Sequence, residues 1–199
     1  MWYQHYQPQK IEDIVSQDEF KSIILQHYKK RELPHLLLYG PPGTGKTTAA
    51  YCIANLYNCN GNFIEVNGSD ERSVEKMRVL VSNATKHTPI GAEFKVILLD
   101  ESDGLLRDTQ ELLRRVIEKS VRTKFILTCN DVEKIIRPLR ERLIEIEFKP
   151  IPMMAIEAKL KEIAKKENLK LPPEKLKGIA LKSEGSLRKA INELQKIAF

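Results

Sequence analysis

Short apolar runs alternate along the chain with longer stretches in which apolar residues recur every three to four positions. Residues 13–31 (DIVSQDEFKSIILQHYKKR) have that helical spacing and end on basic side chains, which suit the negative end of a helix dipole. The pattern predicts one helix there. Leu36–Tyr39 is too short for a helix and runs at once into Gly40-Pro41-Pro42-Gly43, as a buried strand enters a tight turn. Residues 47–58 predict the following helix. Four more apolar runs, 63–66, 96–99, 124–128 and 144–148, predict strands, and 74–85, 108–120 and 131–141 between them have helical periodicity. Strands alternating with helices imply a five-stranded parallel sheet covered on both faces, an α/β layer structure.

The pattern changes at Phe148-Lys149-Pro150-Ile151-Pro152, after which no strand-like run follows. Residues 154–168, Pro173–Lys182 and 186–198 predict three helices, with a proline where a helix can start and Ser186 as a candidate N-cap. These observations divide the chain into 1–149 and a small all-helical unit, 150–199.

Composition narrows the class. The chain has 199 residues, 42% apolar and 30% charged, ordinary for a soluble globular protein. No apolar run approaches the ~20 residues of a membrane helix, and the start, MWYQHYQPQK, lacks a signal peptide's apolar centre. The expected setting is intracellular: cytoplasmic, or nuclear in a eukaryote, with no membrane partner. Cys52, Cys59 and Cys129 have no metal-ligand spacing, and the first two are expected on one side of a helix as small core residues. The net charge of +6 is uneven: residues 150–199 carry eleven Lys/Arg against six Glu (+5), and residues 1–149 carry 22 basic against 21 acidic (+1). A basic tail unit suits either nucleic acid or plain solvation of helix faces.

The chemistry-bearing residues sit at the tips of the predicted strands. Gly40-Pro41-Pro42-Gly43-Thr44-Gly45-Lys46-Thr47 matches GxxxxGK[ST] at every fixed position, between a strand and a helix. Glycines let backbone N–H groups turn inward around phosphate oxygens, and the helix N-terminus adds positive partial charge. Lys46 is expected on the β and γ phosphates of a nucleotide and Thr47 on Mg²⁺, with Thr48 completing the loop's contacts. Asp100-Glu101 ends the strand 96–99; adjacent carboxylates there repel unless a cation or a reaction uses them. Asp100 suits a magnesium site, and Glu101 suits a general base that orients water. Asn130, at the tip of the strand 124–128, is placed to hold that water.

With these residues in order, the chain resembles the AAA+ ATPases, and within them the small-subunit family of the clamp loader replication factor C. The likeness rests on GPPGTGKT, Asn67-Gly68-Ser69-Asp70-Glu71-Arg72, FKVILLDESD at residues 94–103, Thr128-Cys129-Asn130 and GSLRKAIN at residues 185–192. It implies an ATP- and Mg²⁺-dependent ATPase domain followed by a helical lid. In it Asn130 and Arg188 take the sensor roles at the nucleotide, and Arg142 acts in trans on a neighbour's nucleotide. The implied partners are a sliding clamp, primer-template DNA and other clamp-loader subunits in a ring or spiral. Arg72, Ser73, Lys76, Arg107 and Thr109 are the implied DNA contacts, gripping phosphates without reading bases.

The chain departs from the family in three respects. Gln7 stands where a basic residue is usual, Glu141 and Leu143 flank Arg142 in place of Ser and Cys, and the family's collar does not follow the lid. The motifs alone leave open another AAA+ motor acting on DNA, an initiator ATPase or a non-hydrolysing nucleotide-binding scaffold. The residues after 150 disfavour a small P-loop kinase.

Overall fold

The computed structural model describes residues 1–69, 89 and 91–198. The chain opens with a short helix, α1 (Trp2–His5), then α2 (Asp18–Lys29), strand β1 (Leu36–Tyr39), α3 (Lys46–Leu56) and β2 (Phe63–Asn67). After the stretch outside the description come β3 (Lys95–Asp100), α4 (Arg107–Lys119), β4 (Thr123–Cys129), a short α5 (Arg137–Arg140) and β5 (Ile144–Glu147). Three helices end the chain: α6 (Met153–Lys166), α7 (Pro173–Lys182) and α8 (Leu187–Ala198). No helix among the described residues is long and apolar enough to cross a membrane. The helix expected at 74–85 lies outside the described residues.

The five strands form one parallel sheet in the order β2-β3-β4-β1-β5. Alternation along each strand sends successive side chains to opposite faces. Leu36, Leu38, Val96, Leu98 and Ile126 therefore join one apolar cluster with Phe20, Ile24, Ala50 and Ile53 of α2 and α3. Leu37, Ile97, Leu99, Phe125 and Leu127 join the other with Leu113 and Ile117 of α4. Both faces of the central strands are covered, which is why β1, β3 and β4 read as nearly continuous apolar runs, while the edge strands β2 and β5 keep exposed Glu65, Glu145 and Glu147. A third cluster lies among α6, α7 and α8, and Trp2, Tyr3 and Tyr6 of the N-terminal arm pack against it. The arm is thus bound to the lid helices although it is far from them in sequence.

Three sequence expectations need correction. The helix expected over 13–31 starts only at Asp18, because Ser16 and Gln17 take left-handed φ values of 60° and 62°. Gln17 is held there by the Lys149 backbone: its Nε2 donates to the Lys149 carbonyl at 2.8 Å, and its Oε1 accepts from the Lys149 N–H at 3.2 Å. The helix expected over 131–141 breaks into a 3-10 turn at Val132–Lys134 and the short α5. Extended Ile136 precedes α5, with Pro138 in its first turn, and a distant side chain supplies the backbone's partners. Gln110 accepts from the Ile136 N–H at 2.8 Å and donates to the Lys134 and Leu105 carbonyls, each at 3.0 Å. Finally, Cys52 and Cys59 are both buried core residues, but α3 ends at Leu56, so they do not share a helix.

Candidate functional site

The strand order decides where a ligand can lie. Leaving β1, the chain crosses past β4 and β3 to build β2 at the far edge, so a crevice opens at the carboxyl ends of β1 and β4. The loop 40–45 fills the floor of that crevice. Gly43 and Gly45 have φ values of 78° and 105°, which side-chain-bearing residues adopt only at a cost. Gly45 caps α3 with no side-chain acceptor, so the first N–H groups of α3 keep their capacity for an anion.

Lys46 is buried, 8% exposed, and its ammonium donates to the Gly40 carbonyl at 2.6 Å, the Pro41 carbonyl at 2.9 Å and Asn130 Oδ1 at 3.0 Å. Burial lowers its pKa, the Arg188 guanidinium adds to that, and Asp100 and Asp103 oppose it. Thr44, also buried, donates its hydroxyl to the Pro41 carbonyl at 2.8 Å and keeps the loop closed. The Thr47 hydroxyl donates to Asp100 Oδ1 at 2.9 Å, and Thr128 Oγ1 donates to the same oxygen at 2.6 Å. A hydroxyl and a carboxylate at a phosphate-binding helix are hard oxygen donors, the set that Mg²⁺ takes beside substrate phosphates. The residues present fit the ion.

Glu101 sits in a left-handed conformation, φ 55°, costing on the order of 1 kcal/mol. Its N–H donates to Thr128 Oγ1 at 3.1 Å, and its Oε2 accepts from the Ser69 hydroxyl at 2.7 Å. The Asn67 side chain holds Ser69, accepting from its N–H at 2.8 Å. Cys129 is buried beside these groups, and desolvation pushes its thiol up to about 12, so it stays protonated and inert.

The lid closes the cleft. The Leu187 N–H donates to the Gly43 carbonyl at 3.0 Å, and Ser186 caps α8, accepting from the Lys189 N–H at 3.3 Å. A Cβ on Gly43 would collide with Ser186 Oγ. Arg188, in the first turn of α8, lines the phosphate cleft together with Pro42, Gly43, Gly45, Lys46, Thr47, Thr48, Asp100, Glu101 and Asn130. Beside it lies a cavity of about 220 Å³ bounded by Tyr3, Tyr6, Pro8, Val15, Tyr51, Ile151 and Ile191, of a size and apolar character that suit a nucleobase. Gln7 reaches α3 at this point, its Nε2 donating to Thr48 Oγ1 at 3.1 Å, so the neutral arm residue still meets the phosphate-loop helix.

The structure therefore brings together Gly40 to Thr48, Asp100, Glu101, Asn130 and Arg188. Arg142 lies elsewhere, before β5, where it donates to the Pro138 carbonyl at 2.6 Å and pairs with Glu118 at 3.4 Å. The nearer carboxylates, Glu141 and Glu145, are taken by Arg137 and Arg140. Arg107 is exposed at the start of α4, but Thr109 is 2% exposed and its side chain faces the core, so it is withdrawn as a phosphate contact. Arg72, Ser73 and Lys76 lie outside the described residues. Sequence reasoning gave no separate role to Ser69, Thr128 or Tyr3. Ser69 and Thr128 had one signal, small hydroxyls at strand tips beside carboxylates; Tyr3 had none.

Residues 36–151 match the family described as ATPase family associated with various cellular activities (AAA), and residues 158–199 match the RCF1/5-like, AAA+ ATPase lid domain. The chain is 41% identical over 203 residues to the replication factor C small subunit of Archaeoglobus fulgidus, covering 100% of this chain and 64% of that protein. It is 43% identical over 202 residues to the same-named subunit of Methanococcus maripaludis, covering 99% and 64%. The chain thus spans less than two thirds of the length of these relatives. The Thermotoga maritima RuvB Holliday junction branch migration motor shares the fold, with a TM-score of 0.80, 24% identity, and coverage of 95% of this chain and 64% of that one. The match to the first family runs through the sheet and every strand-tip loop of the cleft, and on that ground the chain belongs to the AAA family of ATPases.

Proposed function

We propose that this chain is the ATPase body and lid of a clamp-loader subunit, binding and hydrolysing ATP so that an assembly of such subunits loads a sliding clamp onto primed DNA. The observation that carries the reading is the convergence of Lys46, Thr47, Asp100, Glu101, Asn130 and the lid's Arg188 on one cleft beside a base-sized cavity. The identity of about 40% to replication factor C small subunits along the whole chain supports the choice of machine.

The contacts support the following division of roles. The N–H groups of residues 43–48 and the Lys46 ammonium hold the ATP phosphates; Lys46 exchanges loop carbonyls for phosphate oxygens. Thr47 and Asp100 hold Mg²⁺, which when bound neutralises charge on the phosphate oxygens. Glu101 Oε1 accepts a proton from the attacking water while Ser69 restrains Oε2, and Asn130 orients that water. Arg188 grips the terminal phosphate from the lid with the planar fork of its guanidinium. Arg142, which lies outside its own chain's cleft, serves a neighbour's. Arg107, with Arg72, Ser73 and Lys76, contacts DNA phosphates. Residues 1–149 act as the body and 150–199 as the lid.

The test is the ATPase rate of the chain assembled with its partner subunits, measured alone, with clamp, with primed DNA, and with both. The expected result is a rise that needs clamp and primed DNA together. Stimulation by a four-way junction without clamp would point instead to a branch-migration motor.

A further inference from the structure

We infer that Tyr3 is a positioning residue for Arg188, an inference that rests on the nucleotide-binding reading of the cleft. The Arg188 guanidinium carbon lies 5.7 Å from the centre of the Tyr3 ring, within cation–π distance. Among the described residues Arg188 makes no ion pair, so the ring restrains the guanidinium without neutralising it. A carboxylate in the same place would compete with phosphate for the same fork of donors; an aromatic face leaves the N–H edges free.

Tyr3 is itself well anchored. The Trp2 N–H donates to Gln195 Oε1 on α8 at 2.9 Å, and the Tyr6 hydroxyl donates to Glu167 Oε1 just past α6 at 2.6 Å. The arm is therefore fastened to the lid helices on both sides of Tyr3, which keeps the ring beside Arg188. Tyr3 also borders the base-sized cavity, so one side chain touches both the space for the base and the group that reaches the terminal phosphate.

The experiment measures ATP and ADP affinity for the wild-type chain, Tyr3→Ala, Tyr3→Leu, Tyr3→Phe, Arg188→Ala and the Tyr3→Ala/Arg188→Ala double variant. Arg188→Ala is expected to erode the preference for ATP over ADP. Tyr3→Ala and Tyr3→Leu should each erode it by about two- to fivefold, the worth of an exposed cation–π contact. Tyr3→Phe, which keeps the ring face, should retain the wild-type ratio, and in the Arg188→Ala background Tyr3→Ala should change it no further. A tyrosine acting only as wall of the base cavity would shift ATP and ADP alike and leave the ratio unmoved. Tyr3→Leu keeps apolar packing, so an altered ratio there is not a folding defect. Additive effects in the double variant, or a Tyr3→Leu ratio equal to wild type, would overturn the inference. A wild-type chain that binds neither nucleotide would overturn the nucleotide reading itself, and this one with it.

Discussion

The two ends of the sheet treat charge in opposite ways. At the carboxyl end, Lys46 is satisfied by backbone carbonyls and an amide, Arg188 by an aromatic face, and Glu101 by a single serine hydroxyl on one oxygen. Each of these contacts can be exchanged for a ligand at small cost. Around the amino ends of β1 and β5 and along the connection from β4 to β5, charged groups neutralise one another or are held neutral. Arg142 pairs with Glu118, Arg140 is gripped by Glu133 at 3.1 Å and Glu145 at 2.9 Å, and His35 is held neutral beneath Lys124. Arg140's pKa is raised, chiefly by its hydrogen bond to Glu145, so its charge is committed inside the chain. The difference teaches that one end is built to meet a ligand and the other to hold the fold. Arg142 also stands at the structural end, paired with Glu118, and the proposed mechanism assigns it to a neighbouring chain's nucleotide.

The strongest way to break that contrast is Arg142→Ala. Hydrolysis by the assembled complex is expected to fall ~10³-fold or more, the worth of an arginine supplied in trans, while nucleotide affinity of the isolated chain stays unchanged. Steady-state ATPase and nucleotide titration check both halves. Full activity in an all-variant ring would remove Arg142 from the mechanism. The Glu118 pair should not oppose the role, since an exposed ion pair is worth only about 0–1 kcal/mol.

At the reactive end, Glu101→Gln should lower hydrolysis by about 10²- to 10⁴-fold and leave ATP binding intact, because it removes a base and keeps the loop. Lys46→Ala should instead weaken binding by about 10- to 100-fold, the loss of charge-assisted hydrogen bonds. Parallel binding and turnover measurements separate the two; identical behaviour would mean the division of labour is wrong.

A further effect is on stability, at the structural end. His35 Nδ1 accepts from the Phe125 N–H at 3.1 Å, and burial, helped by Lys124, lowers its pKa to about 4. The unfolded chain therefore binds more protons than the folded one between about pH 6.5 and 4, and stability rises with pH across that window. The contribution is fully present above pH 6.5 and is lost as pH falls through about 4; it amounts to about 3 kcal/mol. His35→Asn keeps an acceptor for the Phe125 N–H but does not titrate. Urea unfolding from pH 4 to 7 should show a flatter profile for that variant, and an unchanged slope would assign the acid sensitivity to other groups.

Much of this was legible before any coordinate. The phosphate loop, the Asp100-Glu101 pair and Asn130 are local signals, each a residue type that a strand tip needs for one job. The central strands are legible because burial on both faces leaves them few polar positions. Several of the failures are places where tertiary packing overrides local preference. Periodicity at 131–141 lost to Gln110, which satisfies the backbone at Lys134 and Ile136 and so lets the helix break. Thr109 reads as an accessible residue near a helix start, yet the rotation of α4 turns it to the core. Arg142 found Glu118, 24 residues away, rather than its sequence neighbours.

By itself the sequence determined the layer architecture and the chemistry of the loop, because both depend on the order of apolar runs and on short contiguous motifs. Only the tertiary structure decided what stands across the cleft. The lid backbone binds the Gly43 carbonyl, the arm joins the lid's apolar cluster, and Tyr3 meets Arg188 across 185 positions of chain. The reason is physical: such contacts arise from burying the arm's aromatic rings against helices at the far end of the chain, and no local pattern records which surface will cover them.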